Sequence, residues 1–166
     1  SNNAYKQDKG DKLYRRSLYT YWRRTIPPPT MMTFNAADRE ICIVRKDQTI
    51  TPLQALTLLN NVTFVESARH LAERMLKFKG KQSPRERITY GFRSITGRRP
   101  VKEELNLLLA DLKVHLETFS LNPESAKKFL KEGQRPNDPK LSSEQVAAYA
   151  LVASTIMNLD EAITLN

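Results

Sequence analysis

Arginines flank a run of aromatic residues near the start of the chain. Arg15 and Arg16 precede Tyr19 and Trp22, and Arg23 follows them together with a further arginine. Guanidinium groups pair bidentately with carboxylate, sulfate and phosphate groups, and aromatic rings stack on sugars or on guanidinium planes. This run is therefore the strongest constellation in the sequence for binding an anionic ligand, such as an acidic glycan.

A cluster of charges, Asp38-Arg39-Glu40, follows this run across the turn at Pro27-Pro28-Pro29. Two interpretations stay open. In the first, the two segments form a binding site, whose residues are Arg15, Arg16, Tyr19, Trp22, Arg23, Asp38 and Arg39. In the second, the acids of the cluster hold Arg16 or Arg24 in an internal network that fixes the loop, because structural ion-pair networks have the same sequence signature.

Catalytic and metal motifs are sparse in this sequence. The histidines His70 and His115 lie singly among residues at core spacing, and the pattern favours ordinary partly buried side chains over ligands or bases. The single cysteine, Cys42, excludes an intramolecular disulfide and the Cys-x-x-Cys-His attachment of a c-type haem. Met31 or Met32 as an axial haem ligand is a remote alternative. We expect no metal or cofactor held by this chain alone, and no catalytic residue is assigned.

The positive charge is concentrated in one segment. Residues 69–102 contain eleven bases and two acids, which accounts for the whole net charge of +9. Such a segment suits an acidic neighbouring domain, an anionic polysaccharide, a lipid surface or nucleic acid. The alternative is a solvated face of two helices. Nucleic acid is disfavoured because few aromatic residues are interleaved with the bases.

Helix-capping signatures organise the chain from residue 51 onward and predict an all-α fold. The spacing of apolar residues and caps indicates a single-domain bundle of about six helices with a long irregular N-terminal loop. Helix starts are predicted at Thr51, Thr63, Ser83, Pro100, Asn122 and Ser142. The last of these helices is apolar on nearly every side between Val146 and Met157, so we expect it to be the buried centre of the bundle. No stretch is long and apolar enough to span a bilayer.

Before residue 51 the pattern is weaker. Residues 13–25 have aromatic and apolar spacings that fit an amphipathic helix, although the aromatic content also fits a strand. The three prolines at 27–29 predict an extended, polyproline-like exit, and residues 31–44 are expected to be irregular or briefly extended. A long loop of this kind is often functional, so it is the first candidate for a site.

Four blocks of this sequence resemble a known family. They are Arg15-Arg16-Ser17-Leu18-Tyr19-Thr20-Tyr21-Trp22-Arg23-Arg24, Pro27-Pro28-Pro29, Ala37-Asp38-Arg39-Glu40 and Thr51-Pro52-Leu53-Gln54-Ala55-Leu56, and Asn158-Leu159-Asp160-Glu161 is similar to the family's closing helix. The family is a C-terminal domain of uncharacterised function in large exported proteins of planctomycetes and related bacteria. There it accompanies cytochrome-c-like domains.

The resemblance sets expectations for organisation and function. Residues 1–12 are expected to be a flexible start or a cloning remnant, and 13–166 a single helical domain forming the C-terminal part of a larger exported or periplasmic protein. Two function classes remain. The first is a non-catalytic domain that docks with cytochrome-like or other neighbouring domains, with any haem held elsewhere in the parent protein. The second is a component of an enzyme acting on anionic polysaccharide, which rests on analogy.

Overall fold

A computed structural model describes residues 8–22, 27–37, 44, 49–80 and 83–164. The chain divides into two compact units, residues 1–49 and residues 50–166. The prediction of one domain over 13–166 stays a prediction.

The first unit begins with two single turns of 3-10 helix, Gly10–Tyr14 and Ser17–Tyr19. The backbone is extended at Arg15, between the two turns, and at Thr20, after the second turn. The predicted helix or strand over 13–25 is therefore wrong for the described part of that range. Its aromatic and β-branched residues have low helix propensity, and a short helix without a capping side chain gains too little from its few hydrogen bonds.

A short helix, α1 (Pro29–Thr33), follows in the same unit. Pro28 has the predicted extended conformation, with ψ of 130°. Pro29 then occupies the first position of α1, where proline is tolerated because its missing N–H would have no partner. The expectation of an irregular segment from residue 31 is thus wrong for the three residues, Met31 to Thr33, that α1 includes.

The second unit is a helical bundle. Its helices are α2 (Pro52–Asn60), α3 (Val62–Leu76), α4 (Pro84–Thr96), α5 (Lys102–Leu121), α6 (Pro123–Leu130), α7 (Ser143–Met157) and α8 (Asp160–Ile163). Across the described ranges the chain forms eight α-helices and no strand, and six of those helices have eight or more residues. The all-α prediction is confirmed.

Most of the predicted helix starts are correct because capping is a local property. Thr51 and Gln54 form a full capping box, in which the side chain of each accepts a hydrogen bond from the backbone N–H of the other. Ser83 and Ser142 cap α4 and α7 as predicted. The start of α3 differs, since Asn61 rather than Thr63 is the cap and accepts from the Thr63 N–H at 2.9 Å.

Helix α7 is the centre of the bundle, as its composition predicts. It packs against α3, α4, α5 and α6. Eight of its residues are buried, among them several alanines that allow close helix approach. The core formed around it includes Met75, Ile88, Phe92 and Leu112. This core fixes the outward faces of α2, α3 and α4, which hold the features described next.

Candidate functional site

The predicted N-terminal cluster is only partly described. Arg15, Arg16 and Tyr19 line a hollow of about 190 Å³, and all three are exposed. Neither arginine has an ion-pair partner within the described part of the chain. Trp22 is half-buried and does not line the hollow. The hollow is small and its arginines lie in the extended link between two short 3-10 helices, so the geometry gives them little support.

The other three predicted site residues, Arg23, Asp38 and Arg39, lie outside the described residues. So do Arg24 and Glu40, on which the alternative ion-pair network depends. The assignment of the seven residues to a binding site therefore stays a prediction, as does the internal network.

A larger cleft lies in the second unit, and we call it the α4 cleft. It has a volume of about 610 Å³ and runs along one side of α4, between Phe78, shortly after the end of α3, and the start of α5. Its lining comprises Phe78, Arg85, Glu86, Thr89, Tyr90, Arg93, Ser94, Gly97, Arg99, Pro100 and Leu105. This volume is in the range of ligand-binding clefts in proteins.

Three arginines of the α4 cleft lack an ion-pair partner among the described residues. Arg85, Arg93 and Arg99 are exposed, and none has an acid partner within the described ranges of the chain. One carboxylate, that of Glu86, also faces the cleft. The cleft is therefore rich in hydrogen-bond donors and carries a net positive charge.

An aromatic pair forms part of the cleft wall. The rings of Phe78 and Tyr90 stack with centroids 4.7 Å apart. Arg74 donates a hydrogen bond to the Tyr90 hydroxyl oxygen at 3.0 Å, and its guanidinium lies 5.9 Å from the ring centroid. The hydroxyls of Thr89 and Ser94 donate to backbone carbonyls one turn earlier, so they are not free donors for a ligand.

The ends of α4 position these arginines. Ser83 accepts a hydrogen bond from the Glu86 N–H and so caps the start of the helix. Arg85 and Arg93, which are eight residues apart, both lie on the side of α4 that lines the cleft. Gly97 ends the helix with φ of +79°, a conformation that favours glycine. The chain then reverses, which brings Arg99 and Pro100 back to the same cleft.

A neighbouring arginine, Arg98, is fully paired. It makes bidentate hydrogen bonds with Glu161 at 2.7 Å and with Glu104 at 2.7 and 2.8 Å, and its guanidinium lies 4.9 Å from the Phe92 ring centroid. Hydrogen bonds to Glu104 and Glu161 raise the pKa of Arg98, and the same bonds lower the pKa of each acid. Arg98 therefore ties α8 to the start of α5.

A second set of charges is buried between α3 and the 131–141 loop, and we call it the α3 network. Arg69 donates to the Leu130 carbonyl at 2.7 Å, to Asn137 Oδ1 at 2.6 Å and to the Arg135 carbonyl at 2.5 Å. Glu66 accepts from the Arg135 N–H at 2.8 Å and lies 3.4 Å from Arg69. Both charged side chains are almost completely buried. The α3 network therefore satisfies the backbone of a loop that has no helix of its own.

His70 lies beside the α3 network. Its Nε2 atom is 3.9 Å from Glu66, its Nδ1 atom is 3.7 Å from Glu73, and Nε2 is buried without a hydrogen bond. Burial lowers the pKa of His70, and the nearby Arg69 adds to this effect, while Glu73 and Glu66 oppose it. The fold thus favours the neutral form of His70.

Helix α2 presents an apolar row to solvent. Ile50, Leu53, Leu56, Leu59 and Val62 are 47–60% exposed, whereas the buried residues of α2 are Gln54 and Leu58. Because residues three apart are offset by about 60° around a helix, the three leucines cover an arc of roughly 120°. We call these five side chains the α2 row. The sequence predicts these leucines on α2 but not their exposure.

Sequence reasoning missed the α3 network and the α4 cleft as sites. A signal for the first exists, because Glu66, Arg69 and Glu73 recur at the core spacing of α3. A signal for the second is the recurrence of Arg85, Thr89 and Arg93 every four residues. Neither signal identifies the partners.

The described residues form neither a cluster of metal ligands nor a membrane-spanning helix. No group of three or more histidine, cysteine or acidic residues able to hold a metal ion lies among them. In the same part of the chain, no helix combines the length and apolar character that a membrane span requires.

Comparison with known proteins gives one match. No curated protein and no solved structure is significantly similar to the chain. A family model described as PSD1, protein of unknown function (DUF1553), matches residues 1–112, which is more than half of the chain. The match includes α2, α3, α4 and every residue that lines the α4 cleft, and it attaches no activity to them. The chain belongs to the DUF1553 (PSD1) family of proteins of unknown function.

Proposed function

We propose that this protein is a non-catalytic helical domain that docks on a neighbouring domain of its parent polypeptide through the α2 row. The α2 row is the observation that carries the proposal. Its three leucines are each about half exposed or more, on a helix whose other side is anchored in the bundle. Exposed apolar patches of this kind are typical of interaction surfaces, because leaving them in water is unfavourable.

The identity of the partner follows from the resemblance noted in the sequence. The related domains accompany cytochrome-c-like domains in exported proteins, so we take a cytochrome-like domain of the same exported polypeptide as the occupant of the α2 row. Haem then belongs to that domain and not to this one. The basic segment 69–102 would add electrostatic attraction if the facing surface is acidic.

The α2 row can be tested by a triple variant, Leu53→Gln, Leu56→Gln and Leu59→Gln. Glutamine keeps the helix propensity of leucine and removes the apolar face. We expect the variant to melt within about 3 °C of the wild type, because the leucines are exposed, and to lose at least about tenfold in affinity for the separately expressed cytochrome-like domain in calorimetric titration.

A matched control is Leu107→Gln on α5, since Leu107 is 72% exposed and lies outside the α2 row. It should bind the domain as the wild type does. Equal loss in both variants, or unchanged binding by the triple variant, contradicts the proposal. A wild-type chain that is dimeric by light scattering, and becomes monomeric in the triple variant, would assign the α2 row to self-association instead.

A further inference from the structure

We infer that the α4 cleft is a binding site for an acidic oligosaccharide. The inference starts from the fate of the charges in residues 69–102. Arg69 and Arg98 are used inside the fold, and Lys77 pairs with Asp138 at 2.6 Å. Of the arginines that line the α4 cleft, Arg85, Arg93 and Arg99, none has an acid partner within the described ranges of the chain. An anionic ligand that engages several of these guanidinium groups gains charge-assisted hydrogen bonds and neutralises the positive charge of the cleft, so it binds favourably.

The spacing favours a ligand with more than one acid group. Arg85 and Arg93 are eight residues apart, which is about 12 Å along the axis of α4. A single small oxyanion reaches both only if the two side chains bend toward each other. A chain that carries an acid group on successive units can engage both arginines in extended conformations, with Arg99 adding a third contact from the turn after Gly97.

Two features favour a sugar acid over a nucleic acid. The Tyr90 ring already stacks with Phe78 and lies beside the Arg74 guanidinium, so it is not a free platform for a nucleobase. Glu86 also faces the cleft, and its carboxylate accepts hydrogen bonds, for which each unit of a sugar acid offers several hydroxyl donors. A sugar acid supplies carboxylates for the arginines and hydroxyls for Glu86. Its C–H faces can contact the apolar edges of the aromatic pair.

The test is titration of the full chain with a short oligogalacturonate, followed by calorimetry and by amide chemical shifts. We expect binding that weakens with salt, with the shifted amides concentrated between residues 85 and 99. The double variant Arg93→Gln and Arg99→Gln should bind at least about tenfold more weakly. The double variant Lys113→Gln and Lys128→Gln removes the same charge from exposed positions outside the cleft and should change affinity less than about twofold.

Three outcomes would overturn the inference. The first is the absence of binding by the wild type. The second is equal weakening in the two double variants, which would reduce the effect to net charge. The third is a single-stranded oligonucleotide of matched charge that binds more tightly than the oligogalacturonate and shows the same sensitivity to Arg93→Gln and Arg99→Gln. Because both arginines are exposed, unchanged melting temperatures will separate loss of binding from loss of folding.

Discussion

Arg69 in the α3 network and Arg93 in the α4 cleft belong to the same basic segment, yet the fold uses them in opposite ways. Arg69 is 2% exposed and donates to three acceptors, one at the end of α6 and two in the 131–141 loop. Arg93 is exposed and has no partner among the described residues. The comparison shows that the net charge of a segment does not reveal a site. A site is indicated by the charges that remain after the fold has paired the others.

The two regions should also differ in how much stability the protein loses when one of their charged side chains is replaced. A buried charge that loses its partner is left desolvated, whereas an exposed charge remains hydrated. Substitutions in the α3 network should therefore lower the stability of the fold and leave ligand binding unchanged. Substitutions in the α4 cleft should weaken ligand binding and leave stability unchanged.

The largest expected effect is that of Arg69→Met. Methionine fills a similar volume but removes the charge that neutralises the buried Glu66 carboxylate, together with the hydrogen bonds to the carbonyls of Leu130 and Arg135. We expect the free energy of unfolding to fall by about 3–5 kcal/mol, measured by urea denaturation at neutral pH.

The matched variant is Arg93→Met, for which we expect a change below about 0.5 kcal/mol. If the two variants lose equal stability, the distinction between the α3 network and the α4 cleft is wrong. If Arg69→Met alone also weakens binding of the acidic oligosaccharide while folded, the two regions are coupled.

An intermediate effect is expected for Gly133→Ala. Gly133 has φ of +95°, and a β-carbon there would lie 2.6 Å from Cδ of Glu66. The substitution therefore strains the backbone and also displaces a carboxylate of the α3 network. We expect a loss of about 2 kcal/mol in the same urea experiment.

Gly97→Ala separates the two causes. Gly97 has a similar φ of +79°, but no atom lies within 4 Å of its added β-carbon. Gly97→Ala should lower the free energy of unfolding by about 1 kcal/mol, which is the contribution of backbone strain alone. A loss at Gly133 no greater than that at Gly97 would mean that Glu66 moves freely, and that the α3 network is not rigid.

The sequence predicts those parts of the fold that depend on local interactions. Thr51, Ser83 and Ser142 mark real helix starts because a cap and its N–H lie within three residues. The buried α7 is recognisable because it has no polar side. In contrast, the described part of 13–25 lacks any cap, and its propensities alone did not identify the 3-10 turns.

The candidate sites depend on distant pairings, which the sequence pattern does not contain. Arg98 meets Glu161 across 63 residues and Arg69 meets Leu130 across 61. Without knowledge of these pairs, Arg93 and Arg98 look equivalent, and the α4 cleft cannot be separated from the rest of the basic segment. The exposure of Leu53 and Leu56 has a similar origin, since the packing of α2 in the bundle decides which side is buried.

The smallest effect is expected from pH, and it concerns His70 beside the α3 network. Burial lowers the pKa of His70 in the folded protein below its ordinary value of 6.5. As pH falls through that ordinary value, the unfolded chain takes up a proton that the folded chain resists, so stability decreases with falling pH. His70→Gln removes this dependence. We expect the wild type to lose a few degrees of melting temperature between about pH 7.5 and about pH 5, and the variant to lose less.

This window isolates His70 from the acids. Asp138, Glu104 and Glu161 also have lowered pKa values, but their ordinary values are 3.8 to 4.5, so their contribution is lost only at lower pH. Arg93→Gln should keep the wild-type pH dependence, because no histidine lines the α4 cleft. A wild-type melting temperature that is flat over this window, or a His70→Gln variant as steep as the wild type, would mean that water reaches His70 freely. The α3 network would then be open to solvent on that side, and its contrast with the α4 cleft would rest on hydrogen bonding alone.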